Sequence, residues 1–373
     1  MSHLAQVIRP HIEPGRRVVA ISDIHGNLPF LKGALDKVGF TPDDVLIIVG
    51  DLLEKGRDSL AALRYVLELG KTHTVYTLCG NCDDIALAFL EDRPGMDRHM
   101  WRILGHWRER ALVSQMAAEL GLPAPRGPED LPALRAALLD RFPEETRFLL
   151  NLPTILEAGN FIFVHGGIPR EDRLDELGAY PCMKNDDFFS QGRSFRKWVV
   201  VGHWPVTLYN PHIQCSAPLV DRGRHIASID GGCVLKLDGQ LNALIIPDIE
   251  GDELDYTWYD GLPALTALDG QDPSDDPLNI RWSDSVVEPL GEDGGCVRVR
   301  HPSSGRELWL PKDFVSTWGD GRIHTEDATD YRLPVSPGDR LSLVRKTGRG
   351  LLVKKGGITG WYHGRVKYGS ESN

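Results

Sequence analysis

Apolar and polar positions alternate along this chain in blocks that read as strand, turn and helix in turn. Val18 to Ile21 is an unbroken apolar run with three β-branched residues, the pattern of a strand buried on both faces. Leu28, Leu31, Ala34, Leu35 and Val38 follow at helical spacing. The order repeats: a strand over 44–49 ended by Gly50-Asp51, a helix over 59–69, and a strand over 74–78 ended by Gly80-Asn81. Short glycine-marked connections between such blocks predict βαβ units of a parallel sheet. From Arg93 to about Asn151 the spacing turns helical throughout. Trp101, Leu104, Trp107, Ala111, Leu112, Met116 and Leu120 predict one amphipathic helix, and 131–139 a second. This reads as a helical insertion that covers a sheet edge or forms a lid selecting substrate.

The sheet pattern resumes at 161–164, 198–201, 225–229 and 241–246, with spacing that predicts two sheets packed face to face. Around 269–276 Asp, Gly, Pro and Ser dominate, a linker composition without the carboxylate spacing of a calcium loop. Short strands with turn signals then predict a small β-barrel. Pro337-Gly338-Asp339-Arg340-Leu341 and Gly360-Trp361-Tyr362 give it a bacterial Src-homology-like look. The expected domains are 1–260 (insertion about 93–151), a linker over 261–282, and the barrel over 283–373.

Composition narrows the partners. With 373 residues, 41% hydrophobic, the chain can build ordinary globular cores, and length favours two or three domains. A net charge of −11 argues against a nucleic-acid-binding or membrane surface. No apolar run has membrane-spanning length and no leader pattern is evident, so the expected location is cytoplasmic. Six scattered cysteines do not suggest a disulfide scaffold. Cys79-Gly80-Asn81-Cys82 matches a CxxC, but no second pair accompanies it.

The chemistry sits at the strand exits. Asp23 and His25 flank one residue, so an extended backbone would send both side chains to one face. Asp51, Asn81, His165 and His203 occupy the other glycine-marked exits. Parallel sheets bind ligands there. Two divalent cations need a bridging carboxylate flanked by oxygen and nitrogen donors. Asp51 would bridge, Asp23 and His25 would complete one metal, and Asn81, His165 and His203 the other.

These blocks, Asp23-Ile24-His25-Gly26, Gly50-Asp51 with Lys55-Gly56, Gly80-Asn81, His165-Gly166-Gly167 and Gly202-His203, resemble the ordered signature of calcineurin-like metallophosphoesterases over roughly 16–250. The similarity is to the phosphoprotein phosphatase branch and its bacterial diadenosine tetraphosphatase relatives. It implies a four-layer α/β/β/α sandwich and two divalent metals, manganese first and iron or zinc as alternatives. It also implies attack on a phosphoester by a metal-bridging hydroxide, with Asp51 and Asn81 in the catalytic centre.

The departures bear on the proton and the substrate. Where the branch has Gly-Asn-His-Glu this chain has Gly80-Asn81-Cys82-Asp83, which removes the histidine thought to protonate the leaving group. Cys82, Asp83 and Asp84 are the candidate replacements. Glu54 stands where the family has the Asp that orients that histidine, and Lys55 where it has a phosphate-gripping Arg. Asn81 and Arg196 are further candidates for substrate contact. Without a general acid the site favours good leaving groups. The leading expectation is a phosphomonoester, small molecule or phosphoprotein. The alternatives are nucleotide polyphosphates or phosphodiesters with good leaving groups, and, from another class, a binding scaffold. The barrel would bind a peptide or mediate self-association.

Overall fold

Every residue of Val18–Ile21, Val45–Ile48, Phe161–Val164 and Trp198–Val201 is buried, as strands covered on both faces require. These four runs form the middle of two sheets. The computed structural model describes residues 3–369. The chain divides into two compact units. The first comprises the residues up to Trp204 with Pro218–Val234 and Leu241–Tyr259, and the second comprises Pro205–Ala217, Leu235–Gln240 and the chain from Asp260 onward.

In the first unit a five-stranded sheet runs Asp255–Tyr259, Leu241–Ile246, Val18–Ile21, Val45–Ile48, Thr74–Thr77. The last three are mutually parallel, and Leu241–Ile246 lies antiparallel to Val18–Ile21. A six-stranded sheet runs Val7–Ile8, Ile155–Ala158, Phe161–Val164, Trp198–Val201, Ile226–Ser228, Leu219–Asp221. The sheets pack face to face through Val18, Ala20, Val45 and Ile47 on one side and Phe161, Phe163, Trp198 and Val200 on the other. Each large side chain buried here contributes about 1.5–3 kcal/mol. The alternate residues face outward. Val19, Ile21, Leu46 and Ile48 meet the helices Leu28–Val38 and Ser59–Leu69. Ile162, Val164 and Val199 meet Leu174, Cys182 and Phe188. The result is an α/β fold of two facing mixed sheets, with long helices over the first and a short helix and 3-10 turns over the second.

The insertion departs from the single helix its spacing predicts. Met96–Trp107 ends at Arg108, a short 3-10 turn covers Arg108–Arg110, and a new helix runs Leu112–Glu119. Arg108 has φ +52° and Ala111 is extended. The break lets Leu112, Val113 and Met116 all enter the core while Trp107 stays half-buried. Two further helices, Leu131–Arg141 and Pro143–Leu150, complete the layer.

The second unit is all β apart from short turns. Its five-stranded sheet runs Ile358–Tyr362, Gly350–Lys355, Arg340–Thr347, Ala264–Ala267, Val366–Tyr368, beside a meander of Glu288–Asp293, Cys296–His301 and Arg306–Pro311. The expected Src-homology-like barrel is corrected here, because no sheet closes on itself among the described residues. The reason lies in the strand Gly350–Lys355. Leu352 packs with Val297, Val299 and Leu310, whereas Leu351 and Val353 pack with Leu265, Leu333 and Tyr362. A closed barrel has one interior, and this unit has two clusters on opposite faces of one strand. The stretch 261–282 carries Ala264–Ala267, paired with strands on both sides, and Asn279–Ile280. Among the described residues no helix is long and apolar enough to cross a membrane.

Candidate metal centre

The strands of the first unit stop just short of the chemistry. Val18–Ile21 ends at Ile21, and Asp23 and His25 have φ +56° and +50°. They are therefore left-handed rather than extended, which corrects the expectation that strand alternation brings them together. Bonds to the neighbouring exit do so instead: Asp23 N–H donates to Gly50 O (3.1 Å), His25 N–H to Asp51 O (2.9 Å) and Gly26 N–H to Leu52 O (2.8 Å). Asp51 and His203 also have positive φ, +50° and +67°. Four such residues at candidate donors are the kind of strain that clusters at functional sites. A Cβ at Gly80 would collide with Asp51, and one at Gly202 with Ser22 and Asp23, so glycine is required where these loops approach.

Asp23, Asp51 and His165 offer donor atoms within 4.8 Å of one another, and so do His25, Asp51 and Cys82. Both groups are buried and both contain Asp51. The Asp51 carboxylate lies 3.4 Å from His165 Nε2 and 3.8 Å from His25 Nε2. Each ring is turned by a backbone carbonyl, His165 Nδ1 to Val49 O (2.8 Å) and His25 Nδ1 to Leu53 O (3.4 Å). Those bonds place the proton on Nδ1 and leave Nε2 as the free donor, the usual support of a metal-binding histidine. His25 Nε2, His165 Nε2 and Asn81 Oδ1 are buried and hydrogen-bond to nothing. Two orphaned imidazole nitrogens beside one shared carboxylate, with the Asn81 oxygen orphaned in the next strand-exit loop, fit a pair of cations, since buried polar atoms are otherwise satisfied.

The electrostatics agree. Burial alone would lower the His165 pKa, but Asp51 and Asp23 outweigh it and hold the ring at about 10. A positive charge is therefore favoured at this point. Burial raises Asp23, whereas His165 overcomes burial at Asp51 and depresses it. His25 falls to about 3 through burial, with Lys55 adding to the effect.

The remaining predicted residues are less central. The His203 N–H donates to Asp23 Oδ2 (2.9 Å), but its ring Nε2 faces Asp186 (2.7 Å) and Lys184 (3.3 Å), with its centroid 5.3 Å from that of His165. Asp83 is fully buried and accepts from Gly80 N–H (2.9 Å), Leu53 N–H (3.0 Å) and Leu52 N–H (3.4 Å), which ties two strand-exit loops together. Burial raises its pKa to about 7. Asp84 pairs with Arg93 at 2.7 Å. Arg196 pairs with Glu171 and is 89% exposed. Lys55 contacts the Cys82 sulfur; burial would lower its pKa, but Cys82 and Asp51 outweigh it and keep the ammonium charged. All six cysteines are free.

Two buried acids outside the predicted donor set adjoin it. Asp230, at the exit of Ile226–Ser228, is fully buried with Oδ2 unpartnered, and burial followed by Asp23 raises it far above the carboxylate range. Its Gly231-Gly232 neighbours carried the same strand-exit signal as the predicted donors. Glu54 is the other. Its Oε2 accepts from Leu112 N–H (3.0 Å), the first residue of an insertion helix, and burial lifts its pKa to about 8. The insertion is thus fastened to the loop that follows Asp51.

Comparison with known proteins gives the same direction. The calcineurin-like phosphoesterase profile matches residues 16–226. The asymmetrical bis(5'-nucleosyl)-tetraphosphatase PrpE of Oceanobacillus iheyensis is 23% identical over 258 residues, 63% of this chain and 90% of that protein. A symmetrical bis(5'-nucleosyl)-tetraphosphatase of Pectobacterium atrosepticum is 44% identical over 64 residues, 17% of this chain and 22% of that protein's length. Among solved structures, a cold-active protein-tyrosine phosphatase of a psychrophilic Shewanella covers 69% of this chain and 82% of its own at 17% identity and a TM-score of 0.44.

Proposed function

Because this chain belongs to the calcineurin-like phosphoesterase family and is a hydrolase of phosphoester bonds, we propose that its substrate is a nucleotide polyphosphate, cleaved at a phosphoanhydride. The observation that carries this is the pair of donor groups sharing Asp51, set beside the loss of the family's acid at Cys82. Asp23, His25, Asp51, Asn81, His165 and His203 would hold two divalent cations, with Cys82 adjoining the first. When bound, the cations supply charge neutralisation at the phosphoryl oxygens and a lowered pKa for water.

The protein's own residues do the rest. Lys55, kept charged, attracts a non-bridging phosphoryl oxygen as a point charge. The carbonyls of Val49 and Leu53 hold the two imidazoles in register. Asp83 fixes the spacing of the Asp51 and Asn81 loops through its three backbone bonds. Asp84 is engaged by Arg93 and the buried Asp83 carboxylate by three backbone N–H groups, so the helix after Cys82 presents no free carboxylic acid to a leaving alkoxide. A phosphate leaves as a stable anion and needs no such acid, which favours anhydrides over serine or threonine esters. The relatives named bis(5'-nucleosyl)-tetraphosphatases support the same substrate class.

The test is a substrate panel with the full-length, manganese-loaded protein: diadenosine tetraphosphate, a nucleoside triphosphate, a phosphoserine peptide and para-nitrophenyl phosphate, with metal content measured. We expect kcat/KM for the tetraphosphate to exceed that for the peptide by about 100-fold or more. A peptide turned over as well as the tetraphosphate would overturn the reading.

A further inference from the structure

Beside the donor cluster lies a pocket of about 290 Å3 bordered by Gly26, the residue after His25, and by Asn27, Lys55, Arg57, Asp58 and Arg110. It carries three cations and one carboxylate. Arg57 and Arg110 form no hydrogen bond or ion pair among the described residues. Both are exposed, like other unpaired arginines of this unit, and what distinguishes them is that they line one pocket beside the donor cluster.

The surroundings are built to keep them there. Asn27 and Asp58 are the N-cap residues of Leu28–Val38 and Ser59–Leu69, so two helix N-termini add partial positive charge at the pocket wall. Arg110 comes from the turn where the insertion breaks, and that turn is fixed on both sides. Leu112 N–H donates to Glu54, and Gln115 bridges Glu109 O (3.0 Å) and Leu60 N–H (2.9 Å). The insertion therefore delivers an arginine to the site. A phosphate oxygen occupies about the space of a water, roughly 30 Å3, so the pocket has room for a phosphate group.

We propose that this pocket is a second phosphate subsite that receives the leaving phosphate of an oligophosphate chain while the attacked phosphate sits at the donor cluster. The inference rests on the function proposed above and adds to it the residues that choose a chain of phosphates over a single one. In the step, the oxygen of water bonds to phosphorus and the P–O bond to the bridging oxygen breaks. The bond pair leaves on that oxygen, and the water's proton passes to solvent. Arg57 and Arg110 meet the charge that grows on the departing phosphate, and this offsets the missing acid at Cys82. Guanidinium suits this, since it stays charged and pairs with phosphate in a bidentate fork.

The test compares wild type, Arg57→Ala, Arg110→Ala, the double variant and the double lysine variant, all full length and manganese-loaded. The ratio of kcat/KM for diadenosine tetraphosphate to that for para-nitrophenyl phosphate should fall about tenfold per arginine removed and at least about 30-fold in the double variant. The lysine variant should recover part of it. Calorimetric binding of a methylene-bridged nucleoside triphosphate against the nucleoside monophosphate should show a preference for the triphosphate that the double variant loses. A ratio within threefold of wild type, or a preserved triphosphate preference, overturns the subsite. A wild type that hydrolyses neither substrate with two metals bound overturns the proposed function instead, and the binding comparison then still decides the subsite.

Discussion

Both units bury charge, but they balance it differently. In the second unit the buried Asp327 pairs with Lys236 at 2.7 Å, and the buried Lys354 ammonium donates to the Asp238 backbone while Gln214 and Thr359 donate to the Asp238 carboxylate. In the first unit Asp23, Asp51, Glu54, Asp83 and Asp230 are all fully or almost fully buried around two imidazoles and Lys55. Burial raises the pKa of four of these five carboxylates; it raises Asp327 as well, but there Lys236 opposes it directly. A buried charge without a partner costs several kcal/mol. The balanced cluster reads as structure, and the unbalanced one as a site completed by cations from outside the chain.

Removing one charge from each cluster should therefore have opposite consequences. The largest effect is expected from Asp51→Asn, which takes away the carboxylate common to both donor groups. Turnover should fall by about 10⁴-fold or more, and bound metal from two equivalents to one or none by elemental analysis. Retention of both equivalents would break the contrast. In the second unit Lys236→Met strands Asp327 and should destabilise that unit by about 3–5 kcal/mol in urea unfolding. Lys236→Met with Asp327→Leu should recover most of the loss.

Glu54→Gln should do the reverse and stabilise the metal-free protein. The folded pKa of Glu54, about 8, lies above its ordinary value of 4.5. Between those values the unfolded chain releases a proton that the folded one keeps, so stability falls as pH rises from about 4.5 to 8. Glutamine removes the penalty while its amide oxygen still accepts from Leu112 N–H. At pH 8 the variant should gain on the order of a few kcal/mol over wild type, and at pH 4.5 almost nothing. Parallel stability curves across that window would show that Glu54 is not part of the charge imbalance.

The contrast also marks what could be read without coordinates. Asp23, His25, Asp51, Asn81 and His165 were legible because each sits beside or near a glycine at the end of an apolar run, and the order of runs implies the topology. Their backbone was not legible. Alternation along a strand predicts one face for Asp23 and His25, whereas left-handed turns tied to Gly50 and Asp51 bring them together. Arg110 was hidden for a similar reason: periodicity over 101–120 predicts one helix, and the break that aims Arg110 depends on Glu54, more than fifty residues earlier. In the second unit the strands were visible from their spacing, but Leu352 facing one cluster and Val353 another is decided by pairing at a distance.

Cys82 offers the smallest and sharpest test. Its sulfur lies with His25 and Asp51 in one donor group, while the other group, Asp23, Asp51 and His165, has only oxygen and nitrogen. A sulfur donor favours zinc, and carboxylate with imidazole leaves manganese competitive. The two positions should therefore differ in preference, with the one nearer Cys82 the more zinc-selective. Burial holds the thiol pKa well above its ordinary value in the metal-free protein, so binding there must displace a proton. Cys82→Ser keeps a small side chain at the N-cap of Asp83–Leu90 and removes the soft donor. The zinc-to-manganese affinity ratio at one of the two positions should drop about tenfold in competition titrations, with the other unmoved. If both ratios stay put, Cys82 is packing rather than ligand, and the site is selected by its carboxylates alone.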